Sequence, residues 1–202
     1  MQLHIHIDFD EPLVLPINYN HILQAIIYRT LSVMPDYSEF LHERGYSTGQ
    51  RQYKMFQFSQ LKGEYKIRDK RIMFYSSVEL EIRSPEPLLI HLLNGGFQYD
   101  GITFGEKRYR NIQTRVADFT VEEQQLYINM KTPIVVYSTD PLTKYTDYYS
   151  PKDQEFYEGI RQNTDNKYAA YYGVEPEEYI EIQKFGDTAA KKMVTKYQGH
   201  YI

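Results

Sequence analysis

An α+β fold is predicted by three features of the sequence. From Leu3 to Asp10 apolar and polar residues alternate without a break. Leu3, Ile5, Ile7 and Phe9 share one face and His4, His6, Asp8 and Asp10 the other, the two-residue period of a half-buried strand. Residues 19–33 switch to the period of an amphipathic helix, with Ile22, Leu23, Ile26, Ile27 and Leu31 on one side. A strand pair, a second apolar helix and a further strand then follow by residue 120.

Taken in order, the proline-containing segment PLVLPIN after the first strand reads as a turn. In the helix that follows, the apolar arc spans roughly 0° to 180° when residues are set about 100° apart from Ile22, and Tyr28 falls near 240°. Tyr28 therefore points away from the core face. A short helix, DYSEFLHERG, follows Pro35 and is closed by Gly45, with Arg44 in its last turn. KMFQFSQL, then EYKIRDKRIMFYS with a charged turn at Asp69 and Lys70, then VELEIRS read as strands. EPLLIHLLNGG reads as a helix that opens on prolines and stops at Gly95 and Gly96, and GITFGEKRYRN with VADFT supplies the last strand. The order strand, helix, strand pair, helix, strand is that of a ferredoxin-like (RRM-like) unit.

The second half starts the same order again. LYINMKTPIVVYS contains a strand, PKDQEFYEGIRQNTDNKYAAYYG a long helix ending at Gly173, and EYIEIQKFG with AAKKMVTKYQGHYI reads as a strand pair. The expectation is a tandem of ferredoxin-like domains, residues 1–122 and 123–202, the second incomplete.

At 202 residues, each half is large enough for a modest core. The 42% apolar and 25% charged content is that of a globular chain, and no segment approaches the roughly 20 apolar residues of a membrane span. The N-terminal residues lack the basic and apolar regions of a signal peptide, so the cytoplasm is the expected location. Zero cysteines exclude disulfides and thiolate metal sites. The net charge of -4 argues against a chain coated with phosphate-binding groups. The cations are clustered, however: Lys62, Lys66, Arg68, Lys70 and Arg71 around one hairpin, Lys107, Arg108 and Arg110 in a second segment, and Lys191, Lys192 and Lys196 near the end. Twenty-one tyrosines without a tryptophan favour strands and half-buried positions, and a minority are available to stack on unpaired bases.

Chemistry-bearing residues are few. Tyr28, His42 and Lys54 stand at the edges of separate elements, and a phenol, an imidazole and an ammonium can move protons and neutralise a developing phosphate charge. Each has a simpler use: His42 as a cation at a helix C-terminus, Tyr28 as a surface or domain-contact residue, Lys54 as a guard on a strand edge. His4, His6 and Asp8 read as a polar sheet face rather than a metal site, and His91 as a core or interface residue.

LPINYNHILQAIIYRTLS, FLHERG and YKMFQFSQLKG together resemble the CRISPR-associated endoribonucleases that cut repeat RNA, the Cas-six family. The shared cues are a proline and tyrosine before the first helix, an IY pair within it, a Leu-His-Glu step after it, and a lysine shortly before an F-x-F-S strand. Weaker agreement runs through NGG, TPIVV and the F-Y-E-x-I helix. The resemblance implies tandem ferredoxin-like domains and metal-independent cleavage of CRISPR repeat RNA with no cofactor, leaving 2′,3′-cyclic phosphate and 5′-OH ends. It sets Tyr28, His42 and Lys54 in the active site, with Lys62, Lys66, Arg68, Lys70 and Arg71 as lesser RNA contacts. A phenol is a poor base at neutral pH, so His42 is expected to carry most of the proton transfer. A second copy of the chain and a CRISPR effector complex are further expected partners, and no membrane. The family's C-terminal glycine-rich loop and closing strand are missing after Gly199, so the sequence is expected to be a piece of a longer protein. Two alternatives stay open: a repeat-RNA binder without cleavage, and a ferredoxin-like homodimeric interaction protein.

Overall fold

A computed structural model describes residues 1–130, 132 and 134–186, with the backbone of 196–197 and 200–201. Helix and sheet are mixed as expected, and the chain divides into two units, Met1–Gln124 and Gln125–Ile202. The first contains β1 (Gln2–Asp8), β2 (Leu13–Pro16), α1 (Asn20–Leu31), α2 (Pro35–Glu39), β3 (Tyr46–Thr48), β4 (Arg51–Tyr53) and β5 (Gln57–Phe58). It continues with β6 (Tyr65–Arg68), β7 (Arg71–Phe74), β8 (Ser77–Arg83), α3 (Pro87–Asp100), β9 (Ile102–Phe104), β10 (Lys107–Tyr109) and β11 (Ile112–Ala117).

The main sheet has the order β11-β1-β8-β5, antiparallel throughout. Alternation in β1 sets its register: Ile5 lies opposite Leu80 on one side and Thr114 on the other, and Leu3, Ile5 and Ile7 all turn to the helix side. There they meet Leu23, Ile27 and Leu31 of α1 and Leu89, Ile90, Leu93 and Phe97 of α3, all essentially inaccessible to water. Each such side chain contributes about 1.5–3 kcal/mol by leaving solvent. A second sheet, β2-β7-β6, carries the hairpin whose turn residues Asp69 and Lys70 both have positive φ, the geometry of a type I′ turn and the one foreseen at that place. Tyr19 leads into α1 and uses its buried phenol to accept the Leu61 N–H at 3.0 Å, tying the helix start to the chain after β5.

Several sequence expectations are corrected. PLVLPIN is not a turn: Leu13 and Leu15 are buried, and β2 pairs with β7 as an edge strand, where Pro16 needs no donor. The second helix does not stop at Gly95–Gly96 but runs to Asp100 and ends at Gly101, φ +78. Gly96 is there because α1 passes close by, and a Cβ would collide with Thr30 Cγ2. His91 is not a core residue: it is exposed on the side of α3 opposite the buried stripe. Only Gln57–Phe58 of KMFQFSQL pairs with β8, and the hairpins β3/β4 and β9/β10 were not legible from periodicity.

The second unit contains β12 (Val136–Thr139) paired with β13 (Thr146–Tyr149), α4 (Gln154–Tyr172), and β14 (Lys196–Tyr197) paired with β15 (His200–Tyr201). Gly173 closes α4 in the left-handed conformation, as the sequence predicts. EYIEIQKFG does not form a strand: Tyr179 and Ile180 are exposed and join no ladder among the described residues, and the Tyr179 ring instead lies under the Arg161 guanidinium at 5.5 Å. Most of AAKKMVTKYQGHYI, including Lys191 and Lys192, lies outside the described residues.

The close approach at Gly96 is testable. Thr30 cannot swing aside freely, because its hydroxyl donates to the Ile26 carbonyl at 2.9 Å. Gly96→Ala is expected to lower stability in urea unfolding by about 1 kcal/mol in the parent. In a Thr30→Ala background the same change should raise it by about 0.5–1 kcal/mol, the helical preference of alanine over glycine.

Candidate active site

His42 lies in a wide turn, Phe40–Arg44, that continues α2 with π-type closure: the Gly45 N–H donates to the Phe40 carbonyl, five residues back, at 2.6 Å. Gly45 has φ +64, and a Cβ on it would stand 2.5 Å from the Tyr53 carbonyl oxygen and 3.2 Å from Lys54 Cδ. The end of the turn is thereby pressed against the strand that delivers Lys54. Only glycine permits both the dihedral and the contact.

Lys54 turns back onto the same turn, its ammonium donating to the His42 carbonyl at 2.7 Å. Beyond it, Met55 takes φ +53, rare for a side chain of its kind, and the bend sends Phe56 toward α1. Tyr28 on α1 receives both neighbours edge to face: His42 with ring centroids 5.1 Å apart, Phe56 at 5.9 Å. Tyr28, His42 and Lys54, separated along the chain, are brought into one cluster. The Tyr28 ring is half-buried and packs against the core, although its position off the apolar arc of α1 predicts a side chain turned away from the core face.

The charges around the cluster are specific. His42 Nδ1 lies 2.6 Å from Glu43 Oε1. An ionised carboxylate only accepts, so Nδ1 carries the proton and Nε2 is the nitrogen left to meet a substrate. Burial pushes the Tyr28 phenol above the ordinary tyrosine value, against a smaller downward pull from its hydrogen bond with Gln24. Tyr28 is thus a neutral donor at physiological pH. Glu43 was missed from the sequence although it directly follows His42, because neighbours in a helix normally diverge.

The basic residues separate. Lys66, Arg68, Lys70 and Arg71 belong to the β6/β7 hairpin and are exposed, with Arg68 3.3 Å from Asp69 and directly opposite Arg71. Lys62 is outside the hairpin and bonds Glu81 at 2.9 Å. His4 and His6 lie on the polar face of the main sheet, His6 bonded to Asp8 at 3.0 Å. Among the described residues no group of three or more histidine, aspartate or glutamate side chains is gathered as metal ligands, and no helix is long and apolar enough to cross a membrane.

Residues 113–202 match the family model described as CRISPR associated protein Cas6, C-terminal. No curated protein matches the chain in sequence. A solved structure described as "CRISPR associated protein Cas6" superposes with TM-score 0.64 at 23% identity, covering 88% of this chain and 73% of that one. "Characterization of a Cas6-related gene from Pyrococcus furiosus" describes a second, with TM-score 0.64, 18% identity and the same two coverages. A third, "An RAMP protein binding different RNA substrates", gives 0.61 and 20%, covering 88% and 74%. At these identities the structures establish likeness of fold.

The state of Tyr28 can be measured. Because its folded pKa is raised, the stability it contributes is present below the unfolded value of about 10 and is lost as pH rises through the folded one. The parent-minus-Tyr28→Phe difference in phenolate absorbance should therefore develop only above about pH 10, and a transition below about pH 9 would contradict the assignment.

Proposed function

We propose that the chain is a Cas6-family endoribonuclease that cleaves CRISPR repeat RNA by metal-independent transesterification, a reading supported by the match of residues 113–202 to the Cas6 C-terminal family model. The observation that carries this reading is the convergence of Tyr28, His42 and Lys54. The family model matches residues 113–202, so these two lines of support do not share residues. The relative described as binding different RNA substrates adds RNA as the partner class. The fold proposed is a tandem of ferredoxin-like domains, residues 1–122 carrying the site and 123–202 the second. Its support is the order β11-β1-β8-β5, fourth-first-third-second for a strand-helix-strand-strand-helix-strand unit.

In this mechanism the ribose 2′-oxygen attacks the adjacent phosphorus. A P–O2′ bond forms and the P–O5′ bond breaks, leaving a 2′,3′-cyclic phosphate and a 5′-OH. One proton leaves the 2′-OH and one reaches the departing O5′. His42 Nε2 accepts the first when neutral, while Glu43 on Nδ1 keeps the ring oriented, and the imidazolium so formed, directly or through a water, gives the second to O5′. Tyr28, a phenol with a raised pKa, orients the nucleophile or donates to a phosphate oxygen rather than acting as base. Lys54 leaves the His42 carbonyl to neutralise the charge that builds on the phosphoryl oxygens. Lys66, Arg68, Lys70 and Arg71 hold flanking phosphates, a role supported by the exposure of all four cations on one hairpin. Lys62, paired with Glu81, contributes least. The proposed setting is the cytoplasm, with a CRISPR effector complex as the recipient of the product.

A second reading, a repeat-RNA binder without cleavage, draws on one observation: in the free protein the Lys54 ammonium is already occupied by a carbonyl. Single-turnover cleavage of a repeat transcript separates the two. His42→Ala is expected to slow cleavage by about 10²–10⁴-fold with retained RNA binding. EDTA should leave the parent rate unchanged, and the product should carry a cyclic phosphate. Retention of the transcript without any product favours the binder, and an unchanged rate in His42→Ala removes the acid–base assignment.

A further inference from the structure

Met55 stands between two residues of the proposed site in a conformation that an ordinary side chain avoids. At φ +53 its Cβ crowds the following carbonyl oxygen, a cost the right-handed and extended regions do not carry. Something must hold it there. Ser84, just past β8, donates its hydroxyl to the Met55 carbonyl at 2.7 Å and is only 4% exposed. Ser84 Oγ also accepts the Glu86 N–H at 3.0 Å, and the Ser84 N–H donates to the Met1 carbonyl at 3.1 Å. Ser84 is thus locked at the end of the two central strands, where Gln2 of β1 pairs with Arg83 of β8. Its hydroxyl hands that rigidity to the bend. Lys54 on one side of the bend reaches the His42 carbonyl, and Phe56 on the other packs on Tyr28.

We propose that Ser84 is a positioning residue for Lys54: its buried hydroxyl holds Met55 in the left-handed conformation that aims the Lys54 ammonium at the catalytic cluster. The inference rests on Lys54 as the phosphate-facing cation of the proposed nuclease. Ser84 itself touches neither Lys54 nor substrate; it acts through the backbone of residue 55.

The test is a double-mutant cycle read by single-turnover cleavage of a repeat transcript at saturating protein. Ser84→Ala should lower the rate about ten- to a hundredfold while RNA affinity is kept, since a misplacement of about 1 Å costs on that order. In a Lys54→Ala background the same change should cost nothing further, because the group it positions is gone. Met55→Val leaves Ser84 intact but disfavours positive φ, so it should reproduce the loss even if Ser84→Ala fails to fold. Met55→Gly in the Ser84→Ala chain should restore part of the rate, because glycine takes that conformation without the penalty. An unchanged rate in both Ser84→Ala and Met55→Val, with Lys54→Ala slow, overturns the inference and leaves the nuclease reading standing. Equal slowing by Ser84→Ala with and without Lys54 assigns it a purely structural role and also overturns it. No loss in Lys54→Ala removes the premise itself.

Discussion

The contact on which the proposed site depends is between two pieces of backbone: Gly45 lying against the carbonyl of Tyr53. What matters is that nothing projects from residue 45, so the turn bearing His42 can be laid on the strand bearing Lys54. With a side chain there, the turn and the strand would have to part, and the 2.7 Å bond from Lys54 to the His42 carbonyl would open with them. Helix α1 supplies the third wall. Leu23, Ile27 and Leu31 fix it on the main sheet, which leaves Tyr28 at its edge to meet His42 and Phe56.

The division of labour follows from this packing. Burial keeps Tyr28 a neutral phenol, whereas His42 stays exposed and has one nitrogen engaged by Glu43. Two groups that can both exchange protons are therefore separated by environment, one suited to donate and the other to accept. The strained bend at Met55 and the glycine at 45 are local departures from good strand and helix geometry. Both occur within a few residues of the proposed chemistry, where such departures are commonly found.

Much of this was legible in the residues. Strict alternation gave β1 its register, and the 3.6-residue arc separated Tyr28 from the core stripe of α1. Gly173 was recognisable because positive φ favours glycine, and the Asp69–Lys70 turn because its charges interrupt two strand-like runs. The misses share one cause: partners distant in sequence changed the meaning of a residue. Gly96 resembles a helix stop until Thr30 is set against it. Pro16 signals a turn until β7 pairs with its strand. EYIEIQKFG alternates well enough for a strand yet has no pairing partner among the described residues. The proposed site was half legible. Its three chemical groups stood out by type, while Glu43, Met55 and Ser84, which orient them, carry no signal until their bonds are seen.

The central claim is that Tyr28, His42 and Lys54 surround one scissile phosphodiester. The most direct measurement is a structure of the protein bound to repeat RNA in which the nucleotide at the cut carries a 2′-deoxy sugar and cannot react. The account predicts the scissile phosphate within hydrogen-bonding reach of the Lys54 ammonium, with His42 Nε2 beside the 2′ position and the Tyr28 hydroxyl on the same pocket. RNA seated elsewhere on the protein, with that cluster empty and Lys54 still on the His42 carbonyl, would contradict it.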